Sequence, residues 1–476
     1  MKVLLVSHNY PPLSSAGTEL YTAQLAAGLR ARGHEPLVFT TAKDISRAHL
    51  SLSEREHDGV RVLELVNNLH HESFRETWDQ PVIERLFDGV LARERPELVH
   101  FQHLMHLSAG CAEAAARRGL PVVFTLHDFW LQCARHGQRV HADGSLCRAI
   151  ELARCAGCMV SFPFAQSPLE RRLSGWLASL RGATGLDLGP AARRARALLA
   201  GRAPAEDRAL AEDPRAVAAV RAELEARAAG LRERLGRAVD RFLSPSAFLR
   251  ARFVEWGLDP GRIEHLPTGV DLSLFGGRER AARGARLRVA FVGTLIRAKG
   301  PHVLLEAWGL LPAEARARAE LELAGPARHE PAFQRELAAA AERVGARLRG
   351  PLDRAGVAAK LRATDLLVVP SVWFENAPLV ILEALAARTP LLVSNLGGMA
   401  ELVEEGLSGF HFELGDARDL AAKISAVIDD PASLDALYAR PVALPAEAEH
   451  LDGVLAVYAR VARERAAPGR AGGPRE

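Results

Sequence analysis

The stretch WFENAPLVILEALA (373–386) places Glu375 and Glu383 eight positions apart, with an almost unbroken apolar run between them. Carboxylates are seldom buried without a partner, so two of them in such a run must be holding something. DLLVVPS (365–371) reads as a buried strand, and LVILEALAA as a helix with Asn376 as cap and Pro378 in its first turn. Glu375 then precedes the helix and Glu383 lies about two turns inside it. The helix start leaves the carboxyl edge of a parallel sheet, where open α/β sheets bind ligands. Its N–H groups and dipole suit a phosphate, while the carboxylates suit sugar hydroxyls. A surface glutamate beside a partly buried, ion-paired one fits the same spacing.

VAFVGTLIRAKG (289–300) adds cations. A strand ends at Gly293, and a loop carries Arg297 and Lys299 ahead of the next helix. A cation there disfavours the helix, so it serves an anion or is a solvated loop charge. Of 61 basic residues only five are lysine, which makes Lys299 an unusual choice for its place. In PPLSSAGTE, Gly17 opens a helix where only glycine lets a ligand approach the backbone closely. His127 and Asp128 end the strand PVVFTL, on the same kind of edge.

Four cysteines, Cys133, Cys147, Cys155 and Cys158, fall close together, the last two as CAGC. Their number and spacing are enough for a tetrahedral structural zinc site with no open position. Four separate thiols or a disulfide are the other readings. Cys111 reads as a buried helix residue.

The elements that carry these residues alternate. VLLV, PLVFTT (36–41), ELVHFQH (97–103) and PVVFTLHD (121–128) read as buried strands separated by helices. The rhythm restarts at RVAFVGTL (288–295) and continues through ELELAG (320–325), DLLVVPS and PLLVSN (390–395). The expectation is α/β, with two Rossmann-like, doubly wound domains. The first spans 1–275, with the cysteine cluster at 133–158 and a helical insertion at 159–240. The second spans 286–435, behind the linker FGGRERAARGAR (275–286). A helical segment at 436–466, packing back on the first domain, and a disordered tail at 467–476 complete the chain.

In the insertion, Leu169, Leu173, Trp176, Leu177 and Leu180 recur at helical spacing, as do Val217, Val220, Leu224, Leu231 and Leu235 after Asp213–Pro214. Both stripes are expected to pack on the core. The sharper reading has the basic, Trp-bearing first helix touching a membrane surface. The 476 residues carry a net charge of +3 and 48% apolar residues, so nothing points to nucleic acid. No run has the form of a secretory signal or a membrane span, so the expected location is cytoplasmic, at most on the inner face of the membrane.

Together YPPLSSAGTE, GLRARGHE, FTLHDFW, FLSPSAFLRARFVEWG, IEHLPTGVDLSLF, FVGTLIRAKG, PSVWFENAPLVILEALAARTPLLVSNLGGMAELV and GLSGFHF resemble the large family of retaining GT-B glycosyltransferases. That family includes sucrose synthases and bacterial polysaccharide mannosyl- and glucosyltransferases. The E-x7-E motif with its trailing GG-x-x-E is the most specific mark, and the likeness covers most of the chain outside 159–235. It implies two domains facing a cleft and transfer of a hexose from a nucleotide-diphosphate sugar to a glycan, lipid-linked or small-molecule acceptor. Glu375 would meet the donor sugar, helped by the backbone of Asn376, Ala377 and Leu379, and Glu383 the ribose. Lys299, with Arg297, and Gly17 would meet the diphosphate, and His127 the transferred sugar. Cys-bearing insertions after the HD motif occur in some members. No Asp-x-Asp pair occurs, so catalysis is expected to need no cofactor. Thr294, Ala16 and Thr268 depart from the usual arginine, glycine and asparagine. A nucleotide-sugar epimerase, a phosphorylase or a catalytically silent sugar-nucleotide-binding scaffold on the same fold are the alternatives.

Overall fold

The computed structural model describes residues 1–13, 16–160, 162, 164, 167–186, 188, 191, 213–276, 282–327, 330–439 and 442–467. Residues 192–212 of the expected insertion, 277–281 of the linker and 468–476 of the tail lie outside them. The chain divides into two compact units. The first is Met1–Ser244, Arg252–Glu264 and Gly453–Glu476, and the second is Pro245–Ala251 and His265–Asp452. The second unit thus takes in Pro245–Ala251 and runs from His265 instead of from 286, reaching beyond 435. The reason is a local pairing: Val270 bridges Ala446, and His450 Nδ1 bonds to Pro267 O at 2.8 Å.

The first unit is built on an eight-stranded sheet in the order β3-β4-β2-β1-β5-β6-β7-β8. Its strands are β1 (Lys2–Val6), β2 (Glu35–Ala42), β3 (Leu52–His57), β4 (Val60–Val66), β5 (Leu98–Phe101), β6 (Val122–Thr125), β7 (Arg241–Ser244) and β8 (Ile263–His265). Val3 to Val6, Val122 and Val123 are fully buried, as expected for strands covered on both faces. β3–β4 is an antiparallel pair. Asp58 and Gly59, both at positive φ, make its two-residue turn. The helix Glu447–Ala466 anchors on this sheet from Gly453 onward: Tyr458 Oη is 2.6 Å from His100 Nδ1, and Arg465 Nε is 3.0 Å from both Asp240 oxygens.

The second unit holds a fully parallel sheet in the order β11-β10-β9-β12-β13-β14. Its strands are β9 (Leu287–Val292), β10 (Ala319–Ala324), β11 (Arg347–Arg349), β12 (Leu366–Val369), β13 (Leu391–Ser394) and β14 (Gly409–Phe412). Read from β9, this is the 3-2-1-4-5-6 order of a doubly wound sheet. Its core gathers Phe291, Leu304, Trp308, Leu321, Leu323, Ile424 and Phe412. The strand order reverses between β9 and β12, so their carboxyl ends flank the switch-point crevice.

In the insertion, Asp213 caps the helix Pro214–Ala238 by accepting from Arg215 N, and Leu224, Leu231 and Leu235 are buried. The helix Pro168–Thr184 corrects the expectation of a packed stripe. Leu177 is buried, but Leu169, Leu173 and Trp176 are exposed, Trp176 by 57%. The helix docks instead through small polar groups. Ser174 Oγ donates to Ile45 O at 3.2 Å, and Arg181 Nη1 donates to Ser46 Oγ at 2.9 Å.

Candidate functional site

In the second unit, the loops after β9 and β12 carry Lys299 and Glu375. Lys299 ends a single turn, Arg297–Lys299, closed by Gly300 at φ +70°. A Cβ on Gly300 would lie 1.8 Å from Pro370 O, so only glycine lets this turn press against the end of β12. Val372 N donates to Ala298 O at 2.9 Å, which ties the two loops together. Lys299 Nζ reaches Glu375 Oε1 at 2.6 Å. Trp373 Nε1 (2.8 Å) and Ser371 Oγ (3.0 Å) donate to the same oxygen. Glu375 is 9% exposed. Burial alone would raise its pKa, but the Lys299 ammonium and the two neutral donors hold it below the usual carboxylate range.

The helix Leu379–Ala386 starts two residues later than a cap at Asn376 would place it. Pro378, not Asn376, is its N-cap and makes no side-chain cap bond. Asn376, Ala377 and Leu379 line its entrance; within its first turn Ile381 N and Leu382 N already donate to Pro378 O, at 3.0 and 3.5 Å. Glu383 is the fifth helical residue, one turn inside. Its carboxyl is pushed up to about 7 by burial, against the opposing pull of Arg354. Gly398 sits under the loop: its N donates to Glu375 O at 2.9 Å, and a Cβ there would lie 1.7 Å from Asn376 O. Arg297 turns elsewhere, to Glu336 at 3.1 Å, with its guanidinium 4.6 Å from the Phe333 ring.

In the first unit the strand order reverses between β1 and β5, and histidines stand at the ends of β1, β5 and β6. His8 and His103 have ring centroids 4.3 Å apart. His103 Nδ1 accepts from Met105 N at 2.9 Å, so Nε2 carries the hydrogen and donates to Asp128 Oδ2 at 3.0 Å. Asp128 Oδ1 accepts from Trp130 N at 2.7 Å. His127 Nε2 lies 2.8 Å from Gln102 Oε1, and its ring meets the Tyr21 ring edge-on at 4.8 Å. Burial, then the neighbouring imidazoles, lowers the pKa of His8 and takes that of His106 down to about 3. The His8 and His106 rings are therefore neutral near pH 7, able to donate and accept hydrogen bonds without carrying charge. Gly17 is the first residue of the helix Gly17–Ala31, and a Cβ on it would meet nothing within 4 Å.

Two family models match the chain: Glycosyltransferase Family 4 over residues 15–159 and Glycosyl transferases group 1 over residues 278–440. They divide as the two sheets do. The chain has the GT-B fold of glycosyltransferases. Among relatives of this GT-B chain, a D-inositol 3-phosphate glycosyltransferase of Geodermatophilus obscurus is 33% identical over 244 residues, 48% of this chain and 54% of that protein. The chain spans about half the length of the curated relatives it matches. HepE of Anabaena, solved with UDP and glucose, superposes with a TM-score of 0.59 at 16% identity, covering 98% of this chain and 100% of the other. Sucrose-phosphate synthase of Thermosynechococcus elongatus gives 0.59 at 18% identity, with 98% and 97% covered. At these identities the solved structures establish the shared fold.

Within the GT-B frame, the sequence motifs divide into those that face the site and those that build it. Lys299 and Glu375 come together, Glu383 stands apart near Arg354, and Arg297 does not join them. Glu401 of GG-x-x-E is a builder: its two oxygens accept from Ala247 N (2.8 Å) and Phe248 N (2.7 Å), capping the helix Ala247–Glu255. Thr268 and Glu401 both line a cavity of about 520 Å³. Ser371, Trp373, Tyr21, Gln102, His8 and His103 were not singled out in the sequence. Of these, the histidines had a legible signal, since HNY and HFQH follow buried runs as LHD does. Cys133, Cys147, Cys155 and Cys158 line one small cavity. Among the described residues, no three His, Cys, Asp or Glu side chains are already arranged to hold a metal ion.

Proposed function

We propose that this chain transfers a hexose, with retention, from a nucleotide-diphosphate sugar to a hydroxyl of a glycan, lipid-linked or small-molecule acceptor. The observation that carries the reading is the pair Lys299–Glu375 at the switch point between β9 and β12. A cation, a fixed carboxylate and a helix N-terminus converge there, which suits a ligand with a diphosphate at one end and hydroxyls at the other. The fold shared with HepE, solved with UDP and glucose, supports the same class of donor.

Lys299 and the first turn of Leu379–Ala386 would stabilise the charge that develops as the bond from the anomeric carbon to the diphosphate breaks. Glu375 would orient the sugar, and Glu383 the ribose. The acceptor oxygen bonds to the anomeric carbon on the face the diphosphate leaves, and the acceptor's proton passes to a diphosphate oxygen. Glu375 is committed to Lys299, Trp373 and Ser371, which fits a binding group better than a nucleophile. By the resemblance, Gly17 would contact the diphosphate and His127 the transferred sugar, and the neutral imidazoles near His127 would bind hydroxyls.

A contact with the inner face of a membrane fits the helix Pro168–Thr184. It exposes Leu169, Leu173 and Trp176 and carries Arg171, Arg172 and Arg181. Among the described residues, no helix is long and apolar enough to cross a membrane.

A panel of nucleotide sugars screened for thermal stabilisation tests the donor, because a ligand that binds only the folded state raises Tm. One nucleotide-diphosphate sugar should stabilise the wild type and be turned over, and Glu375→Ala should abolish turnover. Absence of stabilisation across the panel, or full activity in Glu375→Ala, would overturn the reading.

A further inference from the structure

We propose that Cys133, Cys147, Cys155 and Cys158 bind one zinc ion as a closed tetrathiolate whose negative charge is balanced by the buried Arg227. Three local structures bring the four cysteines to one cavity. Cys133 ends the turn after the HD motif, its N donating to Phe129 O at 2.7 Å. A small hairpin, closed by the Val140–Leu146 bridge and turned at Gly144 (φ +85°), returns Cys147 beside Arg139, whose carbonyl accepts from Cys147 N at 2.8 Å. Cys155 and Cys158, three apart on the helix Leu152–Met159, share a face. The cavity they line measures about 30 Å³. That is room for a single ion or water and too little for an organic ligand.

Charge is the second, independent observation. Arg227, on the helix Pro214–Ala238, is 3% exposed and lines the same cavity. Its guanidinium donates to Trp130 O at 2.6 Å and Leu131 O at 3.2 Å and lies 4.9 Å from the Trp130 ring. All of these partners are neutral, and a buried cation is costly unless it is compensated. Arg135 lines the cavity too, with its Nε buried and unbonded. Four neutral thiols leave this positive charge unanswered. Four thiolates around a divalent ion carry a net double negative charge and answer it. His141 Nδ1, 3.3 Å from Cys158 Sγ, is placed to donate to a thiolate.

Energetics point the same way. Among the described residues, the hydrophobic cluster beneath this segment has Ala156, Met159 and Leu224 as its buried members. A segment with so small a core and such short elements gains from a metal staple. Binding would deprotonate the thiols and draw the sulfurs inward round the cavity.

The test is metal analysis of the whole chain produced with zinc in the medium, followed by exchange with cobalt(II). The expected result is one zinc per chain and, after exchange, the intense sulfur-to-cobalt charge-transfer absorption of a tetrathiolate. Cys155→Ser/Cys158→Ser should lose both, whereas Cys111→Ser, a buried thiol elsewhere, should keep both. Arg227→Met leaves all four thiols in place and should weaken zinc about 10-fold or more against a chromophoric chelator, the scale of outer-shell effects. A wild type without zinc and without the cobalt absorption would overturn the proposal. So would a disulfide among the four cysteines, or a cobalt spectrum unchanged in the double variant.

Discussion

Lys299 Nζ stands 2.6 Å from Glu375 Oε1 although the residues lie 76 positions apart, because β9 and β12 are neighbours at the reversal of the sheet. The pair gives the site a fixed ammonium and a fixed carboxylate before any ligand arrives.

Lys299→Ala should lower kcat by at least about 100-fold, the usual cost of losing one donor to developing charge. It should also remove stability in a pH-dependent way. Glu375 is held below its ordinary pKa, so its contribution is present above the unfolded value and is lost as pH falls through the folded one. The Tm gap between wild type and variant should therefore be open at pH 7 and close on acidification below the usual carboxylate range. A gap independent of pH would detach Lys299 from Glu375.

Glu383 has the opposite sign. Its pKa rises from about 4.5 unfolded to about 7 folded, so the folded state binds more protons between those values and loses stability as pH climbs through them. Glu383→Gln should match the wild type near pH 4 and exceed it above pH 7, by a few kcal/mol at most. Donor affinity should fall in the same variant. Parallel Tm–pH curves for the two proteins would count against the burial of this carboxyl.

Two glycines separate packing from function. Gly398→Ala drives a Cβ into Asn376 O and should cost about 1–3 kcal/mol while loosening the loop that carries Glu375. Gly17→Ala meets no atom and should change stability by under about 1 kcal/mol, yet lower turnover if the donor touches this backbone. Chemical denaturation and initial rates on both variants give the comparison.

Vesicle co-sedimentation tests the exposed stripe of Pro168–Thr184. Binding should rise with anionic lipid and fall several-fold in Leu169→Glu/Trp176→Glu, with activity on a soluble acceptor unchanged. Equal binding to neutral and anionic vesicles would remove the arginines from the contact.

Most strands were legible because burial on both faces writes an apolar run into the sequence, as in VLLV and DLLVV. The β3–β4 hairpin was not noticed. SEREHDGVRV is charged because β3 is a half-exposed edge strand, and only its Asp58–Gly59 turn announces it. Glu375, Glu383 and Lys299 stood out by type and position. The Lys299–Glu375 bond did not, since it depends on which strands are neighbours, and chain order does not state that. Trp373 and Ser371 left no trace, because a donor to a carboxylate looks like any other residue until the carboxylate's position is known. The exposure of Trp176 was misjudged for a related reason: helical periodicity reports a stripe, and what covers the stripe is a tertiary fact.

β6 ends at Thr125 and β7 resumes at Arg241, yet Val123 pairs directly with Arg241. The long excursion between them, cysteines and exposed helix included, leaves the sheet at the carboxyl end of β6 and re-enters at the amino end of the neighbouring parallel strand β7. Its length is therefore decoupled from the spacing of the strand ends that hold His8, His103 and His127. Part of such a segment can be exchanged as a cassette: a shorter or foreign piece grafted between Trp130 and Pro214, beyond His127 and Asp128, would leave the histidines in register.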